Sequence, residues 1–93
     1  MYDLVITRHQ GLVDYLLEEE LISSSTPILG HASKEDVNDK DVIGVLPHSL
    51  SVHTSTFSEI PLILPPEMRG KELTADDVRR YKGDLVTYKI TIA

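Results

Sequence analysis

The stretch "LVITRHQGLVDYLLEEE", residues 4–20, decides the fold. Its first four residues, Leu4-Val5-Ile6-Thr7, present apolar groups to both faces of an extended chain, the pattern of a strand covered by helices on either side. After Arg8-His9-Gln10-Gly11 the period changes. Leu12, Val13, Leu16 and Leu17 form a stripe at helical spacing, and Asp14, Glu18, Glu19 and Glu20 fall on the opposite face. A buried strand leading straight into an amphipathic helix is the first half of a βαβ unit.

The rest of the chain continues the alternation. Val42-Ile43-Gly44-Val45-Leu46 is a second run apolar on both faces, and with 4–7 it makes the centre of a parallel sheet. Pro27-Ile28-Leu29-Gly30 and Ile60-Pro61-Leu62-Ile63-Leu64 are shorter strand candidates. Pro61, which has no N–H to donate, belongs at a strand end or edge. Residues 86–92, "VTYKITI", alternate apolar with polar and suit an antiparallel edge strand with one wet face. Between strands, Ser33 with Asp36 reads as a capping box opening a short turn, Pro47 suits the first position of a second helix, and Thr74 with Asp77 caps a third. The expectation is an α/β fold: a mostly parallel sheet of about five strands, helices on both faces, in one domain spanning residues 1–93.

Composition limits the function. Hydrophobic residues are 41% and charged residues 26% of the 93, the balance of a folded protein, and so short a chain gains from a partner subunit in burying its core. Cysteine is absent, which excludes disulfides, thiolate nucleophiles and zinc ribbons. A net charge of −6 disfavours a polymeric nucleic acid, whose binding needs many cations on one face. No signal peptide is visible and no apolar run reaches the roughly 20 residues of a membrane span, so the expectation is a cytoplasmic location without membrane contact.

In a parallel α/β sheet the ligand site lies beyond the carboxyl ends of the strands. The loops there are Thr7-Arg8-His9-Gln10-Gly11, His31-Ala32-Ser33, Pro47-His48-Ser49 and Pro65-Pro66-Glu67-Met68-Arg69-Gly70-Lys71. In the first loop a guanidinium, unpaired helix N–H groups and the positive end of a helix dipole can face one anion. The alternative is that Arg8 pairs with Asp3 or Glu67 and His9 only ends the strand. His48 and Ser49 at another helix start are donors of the same kind, or no more than a cap. His31 beside Gly30 fits a site residue and a satisfied, partly buried histidine equally. His53, about 140° around a helix from His48, cannot share a metal with it and reads as a surface residue. Arg69, Gly70 and Lys71 form either a clamp over a ligand or an ordinary basic crossover. Helix one carries Glu18, Glu19 and Glu20 away from these loops, so the negative surplus need not repel an anion there.

Taken together, "ITRHQGLVDYL", "VIGVLPHSL" and "LPPEMRGKELTADDVRRY" resemble the small stand-alone accessory proteins of type III CRISPR systems that carry a T-R-H-x-G start and an L-P-x-x-x-R-G-x-E-L segment. What the resemblance implies is a ring nuclease: a Rossmann-like domain, akin to messenger-sensing domains, that binds cyclic oligoadenylate and linearises it to silence messenger-activated effectors. The family's motifs fall on Thr7, Arg8, His9 and Gly11, on Leu46 and Pro47, and on Leu64, Pro65, Arg69, Gly70, Glu72 and Leu73, while the stretch 22–41 matches no quotable motif. His48 and Ser49 are added from their position alone.

The chemistry suits this inventory. A ribose 2′-OH aligned with its own phosphate needs no external nucleophile. Arg8 would neutralise the developing charge, His9 would act as acid or base, and Arg69 would close over the ligand. Thr7, Gln10, Gly11, Pro47, His48, Ser49, Gly70 and Lys71 would line the ligand. No carboxylate cluster near these loops has metal-ligand spacing, so neither metal nor cofactor is expected, and a homodimer fits a twofold-symmetric ring.

Two rivals remain. A non-catalytic module that sequesters or senses the same messenger would use the same residues. Histidine phosphatases also place Arg-His after a first strand, but they read R-H-G where this chain inserts Gln10, and they need a longer chain for their second His and Arg.

Overall fold

A computed structural model describes residues 1–93. Strand β1, Leu4–Ile6, is buried along its whole length, as its unbroken apolar run requires. Its residues feed two cores in turn, Val5 on one face of the sheet and Leu4 and Ile6 on the other. Helix α1 covers Gln10–Glu18, and β2 is the short Ile28–Leu29. They are followed by α2 (Lys34–Val37), β3 (Asp41–Gly44), α3 (His48–Ser51) and β4 (Thr56–Glu59). A 3₁₀ turn at Pro66–Met68, α4 (Ala75–Tyr81) and β5 (Val86–Tyr88) complete the chain.

The five strands lie in the order β2-β1-β3-β4-β5, with β5 alone antiparallel to its neighbour. Helices α1 and α4 cover one face, where Leu12, Val13, Leu16 and Val78 pack on Val5 and Ile43. On the other face Val37 of α2 packs with Leu4, Ile6, Val42 and Phe57. The expected α/β sheet with helices on both faces is therefore present. The crossover from β1 to β2 uses the α1 face and that from β2 to β3 the α2 face, so the chain diverges between β1 and β3 and opens a crevice at their carboxyl ends.

Both capping boxes form. Ser33 Oγ accepts the Asp36 N–H while the Asp36 carboxylate accepts the Ser33 N–H at 2.8 Å, and Thr74 and Asp77 repeat the exchange. Bonding to Ser33 holds the Asp36 carboxyl below its ordinary value, the backbone N–H contributing most.

Three expectations need correction. The fourth strand is Thr56–Glu59 and not 60–64. After it Ile60, Leu62 and Leu64 leave the sheet to pack against the α1/α4 core, as a segment containing Pro61 can. The true strand is polar yet satisfied: fully buried Ser58 bonds Tyr2 Oη at 2.9 Å and Thr87 Oγ1 at 2.7 Å. Second, β5 stops at Tyr88 and none of its residues is buried, because no helix covers that end of the sheet. Third, Pro47 is the N-cap of α3 and not its first residue. His53, read as a surface residue, is half-buried. No helix is long and apolar enough to cross a membrane.

Candidate functional site

The chain turns from β1 into α1 through Thr7, Arg8 and His9. Thr7 is buried and its hydroxyl accepts the His9 N–H at 3.1 Å, which fixes the turn and leaves Arg8 and His9 pointing outward. His9 is the N-cap of α1 and its ring makes no capping bond. In the first turn the Leu12 N–H bonds the His9 carbonyl at 3.2 Å, and the N–H groups of Gln10 and Gly11 have no backbone acceptor. Gly11, the second residue of α1, is buried against the backbone of Leu73 and Thr74. A Cβ there would stand 2.1 Å from the Leu73 carbonyl oxygen, so only glycine lets the Arg69–Thr74 segment reach the start of α1.

Two cavities flank this turn and share Arg8 and His9 as a common wall. The first, about 320 Å³, lies across the ends of β2, β1 and β3 and is lined by Ile6, Thr7, Gly30, His31 and Val45 besides the shared pair. The second, about 360 Å³, is floored by Leu62, Leu64, Met68 and Leu73 and rimmed by Arg69, Gly70, Lys71 and Glu72. Gly70 adopts φ +80° with no atom near its would-be Cβ, so its glycine serves the tight bend of that rim.

The electrostatics favour an anion. Every ion pair of the fold is made by Arg79, with Glu18, Glu19 and Asp76. Its bond to Glu18 raises the Arg79 guanidinium further above its ordinary value. Arg8, Arg69 and Lys71 are left without carboxylate partners. Asp3, one partner considered for Arg8, instead accepts the Asp41 N–H at 2.9 Å. The side chain of Arg8 meets His31: its Nη2 touches the ring at Nε2 and lies 3.3 Å from Nδ1.

The structure thus brings together Thr7, Arg8, His9, Arg69, Gly70 and Lys71, with Gly11 as the packing point between the two segments. The Gln10 side chain turns down α1 to donate to Asp14 at 2.9 Å and lines neither cavity. Pro47 and Ser49 also line neither, and His48 lies on a separate groove of about 550 Å³ with Leu46, Phe57, Glu59, Tyr88, Ile90 and Thr91. The reason is the short β3–α3 connection, which carries Pro47 to the β4 side of the sheet. Among the polar lining residues, the sequence leaves His31 open between a site and a structural role and gives Glu72 no role in the site. The signal for His31 was present, since it follows β2 next to Gly30; Glu72 sits in a motif segment but gave no chemical cue. No three His, Asp or Glu side chains group as metal ligands.

No curated protein and no solved structure matches the chain. A family description does: its profile, "Putative CRISPR-associated protein (Cas_VVA1548)", matches residues 4–91, and the chain belongs to that CRISPR-associated family.

Proposed function

We propose that the protein is a ring nuclease, which binds cyclic oligoadenylate, with cyclic tetra-adenylate the favoured ring, and linearises it to switch off type III CRISPR signalling. One observation carries the reading: in a protein of net charge −6, Arg8, Arg69 and Lys71 line one cavity at a helix start without carboxylate partners, and Arg8 also lines the adjoining cavity at the crevice where a parallel sheet takes its ligands. Unpaired cations held together cost stability through mutual repulsion, and a polyanionic ligand offsets that cost.

In the proposed reaction a ribose 2′-oxygen attacks the adjacent phosphorus, the bond to the 5′-oxygen of the next unit breaks, and a 2′,3′-cyclic phosphate and a 5′-hydroxyl result. The site would align the 2′-oxygen in line with the leaving oxygen. Arg8 and the first-turn N–H groups of α1 stabilise the charge that grows on the phosphoryl oxygens. His9, whose ring is free of any capping bond, takes the proton from the 2′-OH or returns one to the leaving oxygen. Arg69, on the rim of the second cavity, closes over the ring. A single copy has donors for about half of a cyclic tetra-adenylate, so a twofold homodimer would complete the site.

The test is incubation of the purified protein with cyclic tri-, tetra- and hexa-adenylate in chelator, followed by mass analysis. A linear product ending in a 2′,3′-cyclic phosphate supports the proposal. Binding of a ring that stays intact identifies a sponge or sensor, and no binding of any ring refutes both readings.

A further inference from the structure

Arg8 and His9 do more than line a pocket: they divide one. The cavity on the β2 side has the His31 ring and Val45 in its walls, and the cavity on the Leu73 side has an apolar floor of Leu62, Leu64 and Met68. Along the carboxyl edge of the sheet the order is therefore a largely polar space with Ile6 and Val45 in its walls, then the guanidinium, then a space with an apolar floor. The Arg8–His9 pair separates the two spaces, and each, at about 320 and 360 Å³, has room for one nucleoside and not two. A nucleic-acid strand has the same alternation, base and sugar, then anionic phosphate, then base and sugar. We infer that each chain reads one dinucleotide step, with the bridging phosphate on Arg8 and one nucleoside in each cavity.

The inference rests on the function proposed above and specifies its register. The His31 ring and the Arg8 guanidinium, which meet at the first cavity, are both planar groups on which a base can stack. Met68, unbranched and adaptable, lies with Leu62 and Leu64 under the base in the second. Because recognition is confined to one step, it does not require a closed ring. The linear diadenylate left by cutting a tetra-adenylate twice is then itself a ligand, and the enzyme would be inhibited by its own product.

The experiment uses the full chain and three probes: adenosine monophosphate, linear diadenylate (ApA) and cyclic tetra-adenylate. Calorimetry is expected to give an ApA affinity at least tenfold above that of the mononucleotide, with ApA competing against the cyclic ligand. Amide hydrogen exchange in saturating ApA is expected to slow at both Gly30–Ala32 and Met68–Leu73. If cyclic tetra-adenylate binds but ApA binds no better than the mononucleotide, or protection is confined to one of the two segments, the dinucleotide register is wrong while the messenger binding that the proposed function requires stands. If no adenylate binds at all, the proposed function fails and the register with it.

Discussion

Replacing Gly11 by alanine should reverse an ordinary effect. Within a helix Gly→Ala normally stabilises, by about 1 kcal/mol. Here the new Cβ would lie 2.1 Å from the Leu73 carbonyl oxygen, 2.7 Å from its carbonyl carbon and 2.9 Å from that of Thr74, where ordinary contact begins at 3.4 Å. All three atoms are backbone, so no rotamer change relieves the overlap, and the segment must retreat by more than an ångström. Leu73 is itself in the core with Leu12, Leu16 and Val78, which ties the retreat to lost packing. Overpacking costs about 1–3 kcal/mol, and a backbone-on-backbone overlap belongs at the top of that range. Against the helix gain, the net is a destabilisation of about 2 kcal/mol, or roughly 8–16 °C in Tm for a domain of this size. Urea unfolding followed by circular dichroism measures it. A Gly11→Ala protein as stable as the wild type, or more so, would refute the claim that Gly11 is the packing point between α1 and the Arg69–Thr74 segment.

Arg8→Ala should weaken cyclic tetra-adenylate by about 1.5–3 kcal/mol, the worth of a hydrogen bond to a charged group, and leave the unfolding midpoint nearly unchanged, since the side chain is exposed and its one contact, with His31, is exposed too; calorimetry and urea titration read the two halves. Arg79→Ala removes all the ion pairs of the fold but should change stability little, and the small loss should vanish in about 1 M salt, because each partner is exposed. The Asp36 carboxyl is depressed by Ser33, so the charged form favours the folded chain: its contribution is complete above the ordinary carboxylate range and is lost as pH falls through the lowered value. The stability gap between wild type and Asp36→Asn should therefore narrow on acidification, as thermal melts at neutral and acid pH would show. In light scattering, the protein should run as a dimer at micromolar concentration and bind one cyclic tetra-adenylate per two chains.

What could be read from the sequence was what a period or a cap encodes. The two-faced apolar runs around Val5 and Ile43 identify the central strands because only a strand buried on both sides tolerates them. Ser33/Asp36 and Thr74/Asp77 identify helix starts because the exchange of bonds is local. β4 escaped for the opposite reason. Thr56, Ser58 and Glu59 carry no apolar period, and what licenses Ser58 in the sheet is Tyr2 and Thr87, 56 and 29 residues away. The site divided along the same line. Arg8 and His9 follow from the position of β1, whereas the approach of the Arg69–Lys71 rim, the displacement of His48 to another groove and the meeting of Arg8 with His31 all depend on how separate loops pack.

Two glycines show how backbone approach, and not side-chain chemistry alone, builds the crevice. Gly44 ends β3 at φ +135°, where a Cβ would stand 2.0 Å from the Ile6 carbonyl oxygen, the same oxygen that accepts the Val45 N–H at 2.9 Å. β3 is thus drawn against β1 at the point where the two chains part, and Val45 is turned into solvent at the mouth of the first cavity. Gly11 performs the matching service on the other side of Arg8, bringing Leu73 and the basic rim onto α1. Any side chain at either position pushes one wall away from the Arg8–His9 divider. Gly44→Ala should therefore disturb the Gly30–His31 side first and Gly11→Ala the Arg69–Lys71 side first, a difference that amide exchange in the two unliganded variants would resolve. If both substitutions loosen the two cavities equally, the divider is not a fixed wall between them, and the site must be described as one continuous groove.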